Sequence, residues 1–201
     1  MKKLESTLSN MILSLGLICV VAGSALAAVS HLTHDAIELA KSEKLQTALS
    51  EVVPNFDNNP IEEKTKIALN EGDTLLLYPA RKGSNLIGAA IESTTNSGFN
   101  GEVKVLVGID TQGKLINYSV LGQKETPGLG TKMVDWFRST EKPGQSVIGR
   151  DLTQGDLTVA KDRGTVDAIT AATISSRAFL RTINKAYKAF TTYQTSLATN
   201  Q

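Results

Sequence analysis

Residues 103–121 read VKVLVGIDTQGKLINYSVL, two apolar and β-branched runs (103–110 and 115–121) on either side of Asp110-Thr111-Gln112-Gly113. Such runs, separated by a turn rich in Asp and Gly, predict a β-hairpin. Upstream, 75–78 and 86–91 are similar runs bounded by Gly, Asn or Ser. Downstream, Ile174, Ala178, Phe179, Ile183, Ala186, Tyr187 and Phe190 recur at spacings of three and four, while Arg177, Arg181, Lys185 and Lys188 take the other side. That pattern predicts an amphipathic helix packed on the sheet. Strands in a consecutive run followed by segregated helices indicate an α+β fold with a mainly antiparallel sheet. Met133, Val134, Trp136 and Phe137 predict a further helix over 131–138, and 146–148 and 157–160 are shorter strand candidates.

Toward the N-terminus the character changes. After Lys2, Lys3 and Glu5, no acidic or basic side chain appears until His31 and Asp35. At about 1.5 Å rise per residue the uncharged stretch 6–30 exceeds the roughly 30 Å hydrocarbon core of a bilayer. Residues 11–29 read as one transmembrane helix. The two lysines before it place the N-terminus in the cytoplasm and everything beyond His31 on the periplasmic or extracellular side. The alternative is a cleaved secretory signal with Ala25-Leu26-Ala27 as its processing site, but the apolar stretch is longer than a usual signal core. Residues 35–53 continue as a stalk helix that Pro54 ends. Residues 55–60 are a polar linker, and 61–70 are either another short helix or the entry to the domain. The chain therefore divides into 1–30 (cytoplasmic N-terminus and membrane helix), 31–60 (stalk and linker), 61–195 (one extracytoplasmic domain) and a tail, 196–201.

Of 201 residues, 41% are hydrophobic and 20% charged, enough for one good core once the membrane segment is set aside. Lys and Arg total 21 against 20 for Asp and Glu, so no net charge would hold nucleic acid. The single cysteine, Cys19, excludes an internal disulfide framework and a thiolate-held iron–sulfur cluster. It reads as a buried apolar filler. His31 and His34 sit at the membrane exit without carboxylates in metal-ligand spacing.

The stretch with chemical promise precedes the last helix: Asp167-Ala168-Ile169-Thr170-Ala171-Ala172-Thr173-Ile174-Ser175-Ser176. Thr170 or Thr173 is an N-cap candidate. The first N–H groups of the helix make a natural phosphate site. Ala171 and Ala172 leave room for another molecule to approach a threonine hydroxyl. An ordinary capped helix explains the same residues without any ligand.

Asp167, Thr170, Ala172 and Thr173 resemble the flavinylation motif of the FMN-binding domain family, found in G subunits of Rnf ion-translocating ferredoxin:NAD oxidoreductases and in C subunits of Na⁺-translocating NADH:quinone reductases. That motif runs Asp, two residues, Ser or Thr, Gly, Ala, Ser or Thr. The resemblance implies FMN joined by a phosphoester to Thr173, attached by an exported flavin transferase that uses FAD and Mg²⁺. Ala171 stands where the family usually has glycine, which matters if the position needs positive φ. Glu125-Thr126-Pro127-Gly128-Leu129-Gly130-Thr131 is similar to a second family segment. Alone it reads as a turn, and beside the first motif its glycines mark where backbone lies against the flavin or its phosphate. The resemblance thus implies cofactor-binding roles for Glu125, Thr126, Gly128, Leu129, Gly130, Asp167, Thr170, Ala171, Ala172 and Thr173.

The short chain and single short stalk look more like the Rnf protein than its quinone-reductase relative. The implied role is electron transfer within a membrane complex, with iron–sulfur and flavin membrane subunits as partners and no catalysis by the isolated chain. Trp136 and Phe137 read as core or flavin-adjacent packing, and Lys124 and Arg163 as solvated surface. The rivals are a quinone-reductase-like or other extracytoplasmic flavin carrier and a non-redox tethered module. No nucleophile with a neighbouring His and acid points to a hydrolase.

Overall fold

The computed structural model describes residues 7–69 and 72–199, which fall into two compact units divided between Lys44 and Leu45. The N-terminal unit is helical. From Leu8 onward its described residues belong to α1 (Leu8–Val52), the one helix among the described residues long and apolar enough to cross a membrane, with a mean hydropathy of 2.5 over its most apolar window. The stalk predicted over 35–53 is the later part of this helix. Cys19 is exposed on it rather than buried, as is the whole of the apolar window among the described residues.

In the second unit, five strands form one antiparallel sheet in the order β1-β2-β3-β4-β5: β1 (Thr65–Ala68), β2 (Thr74–Lys82), β3 (Asn85–Thr95), β4 (Val103–Asp110) and β5 (Leu115–Gln123). The hairpin read from residues 103–121 is present. Asp110 closes it, its Oδ1 accepting from the N–H groups of Gln112 and Lys114 at 2.9 Å each, with Gly113 at φ 85°.

Alternate residues of a strand face opposite sides of the sheet, and both sides here are covered. Val103, Val105, Val107 and Ile109 pack in the main core with Phe179, Ile183, Ala186 and Phe190 of α3 (Thr173–Thr199). Phe179 stacks on Phe137 at 4.4 Å between centroids and meets the edge of Tyr118 at 4.7 Å. Leu106, on the other face, joins Tyr78, Ala80 and Ala90 against Ala48, Leu49 and Val52 from the end of α1. The approach is close enough to demand Gly108, since a Cβ there would meet the Val52 carbonyl oxygen at 2.0 Å.

The structure corrects two expectations and gives two others definite form. Residues 61–69 hold a turn and then β1, the domain-entry reading in strand form, and Asn70 lies outside the described residues. The predicted helix over 131–138 shortens to a 3-10 turn (Gly130–Lys132) and α2 (Met133–Trp136). Neither 146–148 nor 157–160 is a ladder strand; the former is irregular and runs into a turn at Ile148, and the latter contributes one bridge, Val159 to Val166. Short apolar runs are compatible with several backbones, and here they plug the core from loops through Val147, Leu157 and Val159. The polar linker 55–60 is pinned to β2 and the turn that follows it: Asp57 accepts from Gly83 N–H, and Asn58 exchanges bonds with Pro79 O and Arg81 N–H.

Candidate functional site

The two segments singled out in the sequence are built from the same device. In the first, Leu129 N–H donates to Thr126 O at 3.1 Å, with Pro127 second in the turn and Gly128 third at φ 76°. In the second, Ala172 N–H donates to Ile169 O at 3.0 Å, with Ala171 third at φ 61°. A positive φ at the third position is the type II pattern, which glycine fills without steric cost. Ala171 therefore occupies a left-handed position with a Cβ, and the family's usual glycine there has a physical reason.

The turns are joined through buried side chains. Ser175, in the first turn of α3, donates from Oγ to Glu125 Oε2 at 2.7 Å, and both residues are buried. Gly130 lies between them, where a Cβ would come within 2.5 Å of Ser175 Oγ and 2.7 Å of Glu125 Cβ. Its missing side chain thus serves the contact between the two segments, whereas Gly128 faces open space. Glu125 Oε1 has no hydrogen-bond partner and lies under the turn from Gly98 to Gly101, at 2.4 Å from where a Gly98 Cβ would be. Asn100 Nδ2 ties that turn to Thr126 Oγ1 at 3.3 Å.

Thr173 opens α3, so it is inside the helix rather than its N-cap, and Thr170 lies in the preceding turn. Among the described residues neither hydroxyl accepts a helix N–H. Ala172 holds the cap position without a polar side chain, so among the described residues no side chain at that position caps the leading N–H groups of α3. Ser176 instead stabilises the turn from within, accepting from Ile169 N–H and donating to Ala172 O, both at 2.9 Å. Thr173 Oγ1 is half-buried and accepts from Lys161 Nζ at 3.2 Å.

Asp167 sits away from this hydroxyl. Its backbone accepts from Trp136 Nε1 at 3.0 Å and donates to Gly144 O at 2.8 Å, and its carboxylate lies against Gly144. Burial lowers the pKa of the Arg150 guanidinium, and the nearby Asp167 carboxylate offsets part of that.

A cavity of about 290 Å³ collects these parts. It is lined by Glu125, Thr126, Leu129 and Gly130 from the first segment, Ala171, Ala172, Thr173, Ile174 and Ser175 from the second, and Phe99. Gly128, Thr170 and Asp167 support the turns without lining it. The rim is apolar and open to solvent: Phe99 is 64% exposed, Ile174 47% and Leu129 39%. Periodicity assigns Ile174 to the packed face of α3; as the second residue of the helix it overhangs the cavity instead. Phe99, Ser175 and Lys161 carry no signal of their own in the motif pattern. Only the Gly-Phe-Asn-Gly spelling of 98–101, a turn before a strand, hints at the first. A larger groove of about 760 Å³ runs along α3 past Arg181 and Lys185 to Asp73 and touches neither segment.

These features fit a phosphate-bearing, partly apolar ligand such as FMN. A helix N-terminus with a lysine beside it suits an anion, and the apolar rim suits a ring system. Lys124 and Arg163 are exposed, Phe137 is in the core, and half-buried Trp136 braces Asp167.

Residues 98–188 match the family model for the FMN-binding domain, a span from the Gly98 turn into α3 that contains the whole cavity. Over 195 residues the chain is 32% identical to the G subunit of the ion-translocating oxidoreductase complex of Shewanella oneidensis, covering 92% of this chain and 90% of that protein. This chain belongs to the family of those G subunits. The G subunit of the same complex from Yersinia pestis is 37% identical over 169 residues, covering 80% and 79% of the two chains, and that of Stutzerimonas stutzeri 31% over 195 residues, covering 94% and 83%. Family membership of this extent takes in the apolar helix as well as the domain.

Proposed function

We propose that this chain is the FMN-carrying electron-transfer subunit of a membrane-bound ion-translocating oxidoreductase complex of the Rnf type, with FMN esterified through its phosphate to Thr173. The observation that carries the reading is the convergence of two segments, far apart in sequence, on one cavity with Thr173 Oγ1 at its edge and the start of α3 behind it.

FMN, when bound, supplies reversible electron transfer. The chain's own residues hold and surround it. The free N–H groups at the start of α3 and the Lys161 ammonium balance the phosphate charge. Phe99, Leu129 and Ile174 offer apolar surface to the ring, and the buried Glu125–Ser175 bond keeps the two walls in register. A covalent link prevents loss of the cofactor where no soluble FMN pool would replace it. In the attachment step, a bond forms between Thr173 Oγ1 and the phosphorus of the FMN half of FAD. The pyrophosphate bond breaks, AMP leaves, and the hydroxyl proton passes to a base of the flavin transferase.

The apolar segment of α1 anchors the chain in the cytoplasmic membrane. Lys2 and Lys3 set its N-terminus on the cytoplasmic side and the FMN domain on the periplasmic or outer side. Iron–sulfur and flavin subunits of the same complex are its electron-exchange partners.

The test is intact-mass and peptide mass spectrometry of the chain coexpressed with a flavin transferase. The expected result is an FMN-sized increment on the Thr173 peptide that disappears in Thr173→Ala. An unmodified wild-type chain would remove the covalent mechanism.

A further inference from the structure

Lys161 lies outside both motif segments, yet its Nζ donates to Thr173 Oγ1 at 3.2 Å. It stands on the 3-10 turn Ala160–Asp162, whose backbone is held from several sides. Ala160 N–H donates to Val166 O at 2.8 Å and Gly164 N–H to Val159 O at 3.1 Å. Gly164 is packed so tightly that a Cβ would come within 2.1 Å of Thr158 O. Asp162 makes a two-pronged bond to Arg177, at 2.7 Å to both Nε and Nη2, one helical turn beyond Thr173. The turn is thus clipped to the same helix that presents the acceptor. That clip also engages Arg177, the first cation of α3, and leaves Lys161 as the charge on the hydroxyl.

We propose that Lys161 is the positioning residue for modification at Thr173, an inference that rests on Thr173 being the FMN acceptor. Before attachment its ammonium donates to Oγ1, which turns the hydroxyl hydrogen away toward an incoming base and stabilises the oxygen as its negative charge develops. Lys161 stays protonated throughout. The Oγ1–phosphorus bond forms, the FAD pyrophosphate bond breaks, AMP carries away the electron pair, and the hydroxyl proton goes to the transferase. Afterwards the same ammonium pairs with the singly charged phosphodiester, beside the leading N–H groups of α3.

The experiment follows FMN incorporation by intact mass over time, using the full chain in detergent with purified flavin transferase, FAD and Mg²⁺. Wild type, Thr173→Ala, Lys161→Met and Lys161→Arg are compared. Wild type should be modified and Thr173→Ala should not, which tests the acceptor independently of Lys161. Lys161→Met should slow the initial rate about tenfold, the factor expected from one charge-assisted hydrogen bond at an exposed position, and Lys161→Arg should restore most of it. The gap between wild type and Lys161→Met should narrow as salt is raised, which a purely structural role would not produce. A Lys161→Met chain that is modified at the wild-type rate overturns the inference. So does a Lys161→Arg chain as slow as Lys161→Met, because charge would not be the agent. A wild-type chain left unmodified overturns the acceptor reading and the inference with it.

Discussion

Ala171→Gly should make the protein more stable although it removes a side chain. Ala171 sits at φ 61°, third in the turn that Ala172 N–H closes onto Ile169 O. A Cβ in the left-handed region costs about 1–2 kcal/mol. Glycine removes that strain but gains freedom in the unfolded chain, which costs about 0.4–1 kcal/mol. The Ala171 methyl is exposed, so little apolar burial is lost. The balance is a stabilisation of about 0.5–1 kcal/mol, or about 1–3 °C in melting temperature for a domain of this size. Urea unfolding of the full chain in detergent can be read from the fluorescence of Trp136, the single tryptophan, whose indole N–H holds Asp167 O just before the turn. An unchanged slope with a higher midpoint is the expected result. A midpoint lowered by the equivalent of about 0.5 kcal/mol or more would refute the strain argument, because entropy alone would then govern the position.

Gly130→Ala should act in the opposite direction, costing about 1–3 kcal/mol, since its Cβ would press into Ser175 Oγ and Glu125; the same unfolding assay measures it. The Asp162–Arg177 pair predicts a pH effect. The guanidinium's hydrogen bond lowers the Asp162 pKa below its usual 3.8. The pair therefore supports the folded state fully above the unfolded value and loses that support as pH falls through the folded one. Carboxyl chemical shifts across an acid titration should show Asp162 titrating below 3.8 and returning toward it in Arg177→Met; an unmoved titration would show that the pair does not persist in solution.

The sheet and α3 were legible because apolar and β-branched runs bounded by turn residues marked β2 to β5, with β2 and β3 extending beyond the runs 75–78 and 86–91, and three-and-four spacing marked α3. β1 was not, because Thr-Lys-Ile-Ala is too short to show a period and becomes a strand only by pairing with β2. Of the candidate site, both turns could be located from Pro, Gly and hydroxyl residues, and their chain order was plain. What no local pattern could reveal is which residues the fold would bring to them. Lys161 reaches Thr173 from a 3-10 turn that the Asp162–Arg177 clip and several backbone bonds hold against α3, Phe99 arrives from the β3–β4 connection, and Ile174 obeys a helical period yet overhangs a cavity.

Every strand in the sheet pairs with its neighbour in sequence, so the sheet can zip together one hairpin at a time at little loop-closure cost. The bond between Glu125 and Ser175 is of another kind, because its partners stand 50 residues apart and one of them rides on α3. Contacts of that separation carry a larger loop-closure cost, so the cavity is expected to close later than the hairpins. If an enzyme attaches the cofactor by recognising the assembled cavity rather than the bare motif, it would inherit a quality check with no added machinery: half-folded copies would be passed over, and only finished ones would be loaded.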